Sequence, residues 1–168
     1  MPTQDGGIAN TFNQISQLGI SHFKHIYKEP PATNLTDIIQ LVGHFPSFVD
    51  LEFANELTIP VTADELEGTL KWFIKDKCLG PDGWNIKFYI AFYDIIKNDL
   101  LNAVEECRIL GNMYEAINSI LICLIPKFDS PSSFNDFQPI SLCNTLYKIV
   151  IKIIVNWLHP ILSHHIYP

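Results

Sequence analysis

The chain has 168 residues, of which 48% are hydrophobic and 17% charged, enough apolar side chain for one packed core and too little charge for a disordered chain. Its formal net charge of −7 argues against a general nucleic-acid binder. The sign is uneven, however: residues 1–117 hold eight basic side chains against sixteen acidic ones, whereas 118–168 hold Lys127, Lys148 and Lys152 against Asp129 and Asp136. Any phosphate contact is therefore expected in the C-terminal third.

No segment reads as a membrane span. The longest uninterrupted apolar run, Ile120–Pro126, is far short of the roughly 20 residues a spanning helix needs. Residues 139–162 are apolar overall but carry Asn144, Lys148, Lys152, Asn156 and His159. The opening MPTQDGGIAN has no basic stretch followed by an apolar one, so the chain is not expected to be secreted and is placed in the nucleus or cytoplasm. Cys78, Cys107, Cys123 and Cys143 form no CxxC pair and are expected as buried free thiols. His164 and His165 would point about 100° apart on a helix, so a shared metal with His159 is not expected. No metal ligand is assigned.

In chain order, Ile8, Phe12, Ile15, Leu18 and Phe23 fit one apolar helix face up to Tyr27, before Glu29-Pro30-Pro31. Thr36-Asp37 opens a short helix through Ile38, Ile39 and Leu41. The stretch 44–60, broken by Pro46 and Pro60, takes no firm assignment. TADE at 62–65 is a capping box, in which the Thr62 hydroxyl accepts from the Glu65 amide and the Glu65 carboxylate reaches back. Leu66, Leu70, Phe73 and Ile74 then predict a helix over about 62–76.

Gly80-Pro81-Asp82-Gly83 predicts a type I turn, with proline at the second position and glycine at the fourth. Tyr89, Phe92, Tyr93, Ile96, Leu100, Val104 and Cys107 predict one helix over 85–111, or two broken near Asn98, stopped by Gly111. At Ser119 the period changes. SILICLI at 119–125 is a continuous apolar run suited to a buried strand, and Ser130-Pro131-Ser132-Ser133 marks a loop. Phe137–Leu142 contains Pro139, which donates nothing to a ladder and makes this an edge strand or a strand that begins there. The two predict an antiparallel hairpin, about 119–127 and 137–142. A last helix starts at Asn144 or Thr145 as N-cap, with Leu146, Ile149, Val150, Ile153, Ile154, Trp157, Leu158, Ile161 and Leu162 in helical spacing. Pro160 is expected to bend or end it. The fold class is α+β and helix-dominated.

These blocks in this order resemble a known family. GPDGW (80–84), LIPK (124–127), DFQPISLCNTLYKI (136–149) and KIIVNWLHPIL (152–162) are similar to the reverse transcriptase of plant non-LTR (LINE-type) retrotransposons. The resemblance covers 62–166. It implies a partial polymerase fingers domain over 62–168, stopping before the palm, with 1–61 a helical leader resembling the linker before the polymerase. The partners it implies are an RNA or DNA template–primer and an incoming nucleotide, and Lys127, Gln138, Lys148 and Lys152 are the contact candidates. Gly80, Pro81, Asp82, Gly83 and Pro139 are the structural residues of the motifs.

Two positions depart from the pattern. Gln138 and Trp157 stand where the family has arginine, and the expectation is that glutamine keeps a donor without charge while tryptophan keeps neither. The family's polymerisation uses two magnesium ions held by paired aspartates. No Asp-Asp pair occurs in the 168 residues. No catalytic residue and no cofactor are therefore assigned, and the isolated chain is expected to be inactive. A second reading is a helical module that binds protein or RNA through the apolar face of 146–162. A hydrolase lacks any G-x-S-x-G elbow here.

Overall fold

Local chemistry fixes where the helices begin. In the computed structural model, which describes residues 7–28, 35–43, 51–73 and 79–166, helix α1 spans Phe12–Ile26 behind a complete capping box. Thr11 accepts from the Gln14 N–H at 3.4 Å, and the Gln14 side chain accepts from the Thr11 N–H at 3.3 Å. Helix α2 is Leu35–Val42, and α3 is a short Leu51–Glu56 inside the stretch that sequence left unassigned. Helix α4, Ala63–Trp72, starts at Thr62 as predicted, with the Thr62 hydroxyl accepting from the Glu65 N–H at 3.1 Å. The second half of that capping box does not form, because the Glu65 carboxylate accepts instead from the indole N–H of Trp157. The residues 74–76 expected to extend this helix lie outside the described ones, as does Cys78.

The predicted 85–111 helix is two helices, α5 at Ile86–Ala91 and α6 at Tyr93–Leu110, and they divide at Phe92 rather than near Asn98. Asn85 caps the first by accepting from the Phe88 N–H at 3.0 Å. Gly111 ends the second with φ of 60°, a left-handed conformation glycine adopts without a Cβ penalty. One helical turn, α7 at Glu115–Asn118, leads into the hairpin of β1 (Ile120–Pro126) and β2 (Phe137–Cys143). Helix α8, Thr145–Ile166, runs through Pro160, which neither ends it nor forms a boundary.

The chain divides into two compact units, one of residues 1–46 with 123–140, the other of 47–122 with 141–168. In the first, Phe134 is the aromatic centre. Its ring lies over Gly19, where an added Cβ would come within 3.0 Å, and meets His22 and Phe23 at centroid distances of 5.7 and 6.0 Å. Gly19 thus admits the ring. Ile8 and Phe12, expected on the apolar face, are instead 77% and 84% exposed.

The second unit holds the main core: Val61, Leu66, Leu70, Ile86, Tyr89, Leu100, Val104, Cys107, Ile149, Val150 and Ile153. Leu66 and Ile149 are fully buried, so α4 and α8 meet through the stripes their spacing predicted. The stretch Thr145–Ser163 is long and apolar enough to cross a membrane on length and composition alone, which the sequence reading had not found. A core helix satisfies the same criterion, and Thr145, Ile149, Val150, Ile153 and Ile161 of α8 are buried.

The hairpin forms where predicted, but its burial does not. Ile120, Leu121, Ile122, Cys123 and Ile125 are all exposed, because no further strand or sheet covers β1 among the described residues. The cysteines follow suit: all described ones are free, with Cys107 buried, Cys143 intermediate and Cys123 exposed.

Glu105 ties the end of α6 to the entry of α4. Its carboxylate accepts from Arg108 Nη2 at 2.8 Å and from the Val61 N–H at 2.7 Å, while Arg108 Nη1 donates to the Thr58 carbonyl at 3.1 Å. The Arg108 hydrogen bond first, and the Val61 N–H with it, hold the Glu105 carboxyl below its ordinary value of 4.5. A depressed folded-state value stabilises the fold above 4.5, and the gain is lost as pH falls through the folded value. Glu105→Gln is therefore expected to cost about 1–2 kcal/mol at neutral pH. Urea unfolding of both chains from pH 7 to pH 3 checks it: the difference should shrink as pH drops below 4.5.

Candidate nucleic-acid interface

Asn144 stands just before α8 and is 3% exposed. It is the residue expected as N-cap, and its carbonyl does accept from the Lys148 N–H at 3.2 Å. Its side chain, however, is engaged elsewhere. Nδ2 donates to the carbonyls of Ala116 at 2.8 Å and Ile117 at 3.3 Å, while Oδ1 accepts from the Asp82 N–H at 3.1 Å. The neighbouring Thr145 hydroxyl donates to the Trp84 carbonyl at 2.7 Å. The GPDGW and CNT blocks, some sixty residues apart, are one hydrogen-bonded joint.

That joint explains the residue types in the turn. The Gly83 N–H donates to the Gly80 carbonyl at 3.1 Å, closing the predicted turn, and Gly83 has φ of 71°. Asp82 accepts from the Trp84 N–H at 3.1 Å. Gly80 is buried, and a Cβ there would lie 2.5 Å from the Asn144 backbone, so only glycine lets the two segments approach. Nearby Tyr89 is pushed up to about 12 by burial, with Asp82 adding to it, so its hydroxyl stays protonated.

Of the contact candidates, Lys127 and Gln138 belong to the first unit and Lys148 and Lys152 to the second. Lys127 follows β1. Its ammonium donates to the Asn135 carbonyl at 2.8 Å and its backbone N–H to the Asp136 carbonyl at 2.8 Å. Asp136 in turn accepts from the Ser132 and Ser133 N–H groups, each at 2.8 Å, which hold its carboxyl below the usual range. The turn-rich loop is thus internally tied, and Lys127 is exposed at its base, with an ammonium that has more N–H donors than this one bond uses. Gln138 is exposed on β2.

The strands β1 and β2 are of equal length, and the Lys127–Asp136 bond closes their loop end. That register sets Ile120 opposite Cys143, Cys123 opposite Ile140 and Leu124 opposite Pro139. Position 139 is then one at which an antiparallel ladder needs no N–H, which accommodates the proline.

On α8, Lys152 places its ammonium 3.4 Å from the centroid of the Trp72 ring, a cation–π contact that competes with any phosphate. Lys148, one turn earlier, is partly buried. Trp157 departs from expectation: it does keep a donor, since its indole N–H binds Glu65. The apolar face of 146–162 is largely committed to the core through Ile149, Val150 and Ile153, leaving a ridge of Ile154, Val155, Leu158 and Leu162 that is 37–43% exposed. Beside it an apolar cleft of about 350 Å³, lined by Val61, Val104, Cys107, Met113, Ile153 and Trp157, gathers no catalytic set. Burial pushes the Cys107 thiol up, away from nucleophilic use.

No group of three or more His, Cys, Asp or Glu side chains comes together among the described residues. His164 and His165 have side chains outside the described ones.

Gly80→Ala is expected to destabilise the chain by about 1–3 kcal/mol through overpacking against a backbone that has nowhere to move. Asn144→Leu, which leaves the Asp82 N–H and two carbonyls unpaired, should lose at least as much, roughly 1–3 kcal/mol per orphaned group. Thermal unfolding by circular dichroism measures both.

No family model matches the chain. Over 114 residues it is 31% identical to the Transposon TX1 uncharacterized 149 kDa protein of Xenopus laevis, a stretch covering 68% of this chain and 9% of that protein. The chain thus spans about a tenth of the length of the curated relative it matches. The similarity supports an origin of the chain in a non-LTR retrotransposon.

Proposed function

We propose that the chain is part of the fingers of a retrotransposon reverse transcriptase, the lobe that rests on the template–primer, and that it grips nucleic acid weakly and carries no polymerase chemistry of its own. The observation that carries this reading is the joint at Asn144. It makes a single three-dimensional unit of the GPDGW and SLCNT blocks that resemble the family; in the other unit the hairpin offers Lys127 and Gln138. The similarity to a transposon protein supports the same origin.

The chemistry expected of such a lobe is phosphate neutralisation. Here it is thin. Lys127 shares its ammonium with Asn135, Lys152 rests on Trp72, and Gln138 has no charge. Weak, strongly salt-dependent binding follows. The alternative, a module that docks a partner on the apolar face of 146–162, retains only the ridge of four exposed residues on α8.

Filter retention of an RNA·DNA hybrid tests the proposal. Binding is expected at low salt and lost at moderate salt, and Lys127→Ala should weaken it. Gln138→Arg should strengthen it roughly three- to tenfold and steepen the salt dependence by about one charge. Indifference to both substitutions would refute the interface. Primer extension with magnesium or manganese should give no incorporation above background, and incorporation by the purified chain would overturn the inactive assignment.

A further inference from the structure

Trp72 is the last residue of α4 and is 57% exposed, whereas the next residue, Phe73, packs against the core. Left in water, an indole contributes little of the stabilisation that burying its large apolar area would give. Its ring is held in place all the same. The Lys152 ammonium of α8 covers one face at 3.4 Å from the centroid, and the Phe73 ring stands across it at 5.8 Å and 78°. The plane of the indole is thus set by two neighbours, and its exposed area belongs to the face that Lys152 leaves uncovered.

The charges around the ring select what that face takes. The acidic first turn of α4 lies at the far end of the helix, with Asp64 roughly 12 Å away along the axis. The Glu65 carboxylate there is already taken by Trp157. At the near end stand Lys152 and Lys71, the latter held only by a solvent-exposed pair with Glu67 that a competing anion displaces readily. An open aromatic face and two ammonium groups therefore meet in one compact unit of a chain whose net charge is −7. An apolar protein side chain would use the ring and ignore the lysines. A nucleotide uses both, and its base is free to stack only where no paired neighbours cover it.

We propose that Trp72 stacks a base of an unpaired RNA or DNA strand, with Lys152 fixing the indole from behind and Lys71 exchanging Glu67 for the adjoining phosphate. The inference rests on the fingers reading above and narrows it, since the nucleic acid bound at α4 and α8 is single-stranded. It also gives Lys152 a use that its position on the ring otherwise denies it. A ring already locked in plane loses less conformational freedom on binding. Stacking releases no counterions, so this share of the affinity survives salt that removes phosphate contacts.

Fluorescence anisotropy of labelled oligo(rA) and oligo(dA) with the full chain tests it. Both should bind, because every base offers a ring face, and an RNA-only response would add a sugar contact to the stacking. Trp72→Leu should weaken both roughly tenfold. Trp72→Phe should lose less, Lys152→Met should fall between the two, and Trp84→Phe should bind as the wild type does. An abasic strand, which carries the phosphates without the rings, should bind wild type and Trp72→Leu equally weakly. Because the Trp72 side chain is largely outside the core, circular dichroism should show the helices of its variants intact.

Equal affinity of wild type and Trp72→Leu for the oligonucleotides would overturn the proposal, as would wild type binding the abasic strand as tightly as oligo(rA). In that event, an RNA·DNA hybrid still retained and still responsive to Lys127→Ala and Gln138→Arg would leave the fingers reading standing without the stacking site. A chain that binds neither hybrid nor single strand would sink both.

Discussion

Two segments distant in sequence converge on the side-chain amide of Asn144, and the arrangement of the larger unit depends on it. The two amide protons hold the last turn before the hairpin, the oxygen holds the backbone of the Gly80–Gly83 turn, and the residue's own carbonyl begins α8. Almost no solvent reaches it, so water cannot replace a lost partner. An asparagine is suited to this position because it offers donors and an acceptor on one short, neutral group. Aspartate would bring a buried charge and no donors to the two carbonyls. Glycine at position 80 is the other half of the same constraint, since the joint closes only if nothing projects from that Cα.

Much of this was legible before any coordinates. Helix α4 announced itself through Thr62 and the spacing of Leu66 and Leu70, and the left-handed Gly111 through its place after a long apolar period. The hairpin was marked by the change of period at Ser119 and the prolines at 126 and 139. What escaped was decided by distant partners. Glu65 was read as half of a capping box, and the indole that takes its carboxylate instead lies ninety-two residues away. The break at Phe92 left no trace, because both helices bury the same side and the apolar rhythm carries across the junction without glycine or proline. A continuous apolar run ordinarily means burial; β1 violates that rule because the sheet stops at two strands.

The candidate site was legible as a set of residues and not as a set of free charges. Lysines at 127 and 152 read as phosphate ligands by position, yet each has a local occupation, one with a loop carbonyl and one with an indole ring. Neither occupation has a sequence signature, since Asn135 contributes only backbone and Trp72 is eighty residues from Lys152. The same applies to Asn144: its place at a helix start suggested a cap, and only the approach of two other segments revealed what its amide holds.

Pro160 sits inside α8 without breaking it, and this divides the helix in another sense. A proline has no N–H to offer the carbonyl four residues back, so Asn156 stands without its intrahelical donor and the ladder has a missing rung. Upstream of the gap the helix is clamped by Ile149 and Ile153; beyond it, Ile161 is the buried anchor. The helix is thus held by buried side chains on both sides of the missing rung, and packing rather than an unbroken ladder keeps it continuous through the proline.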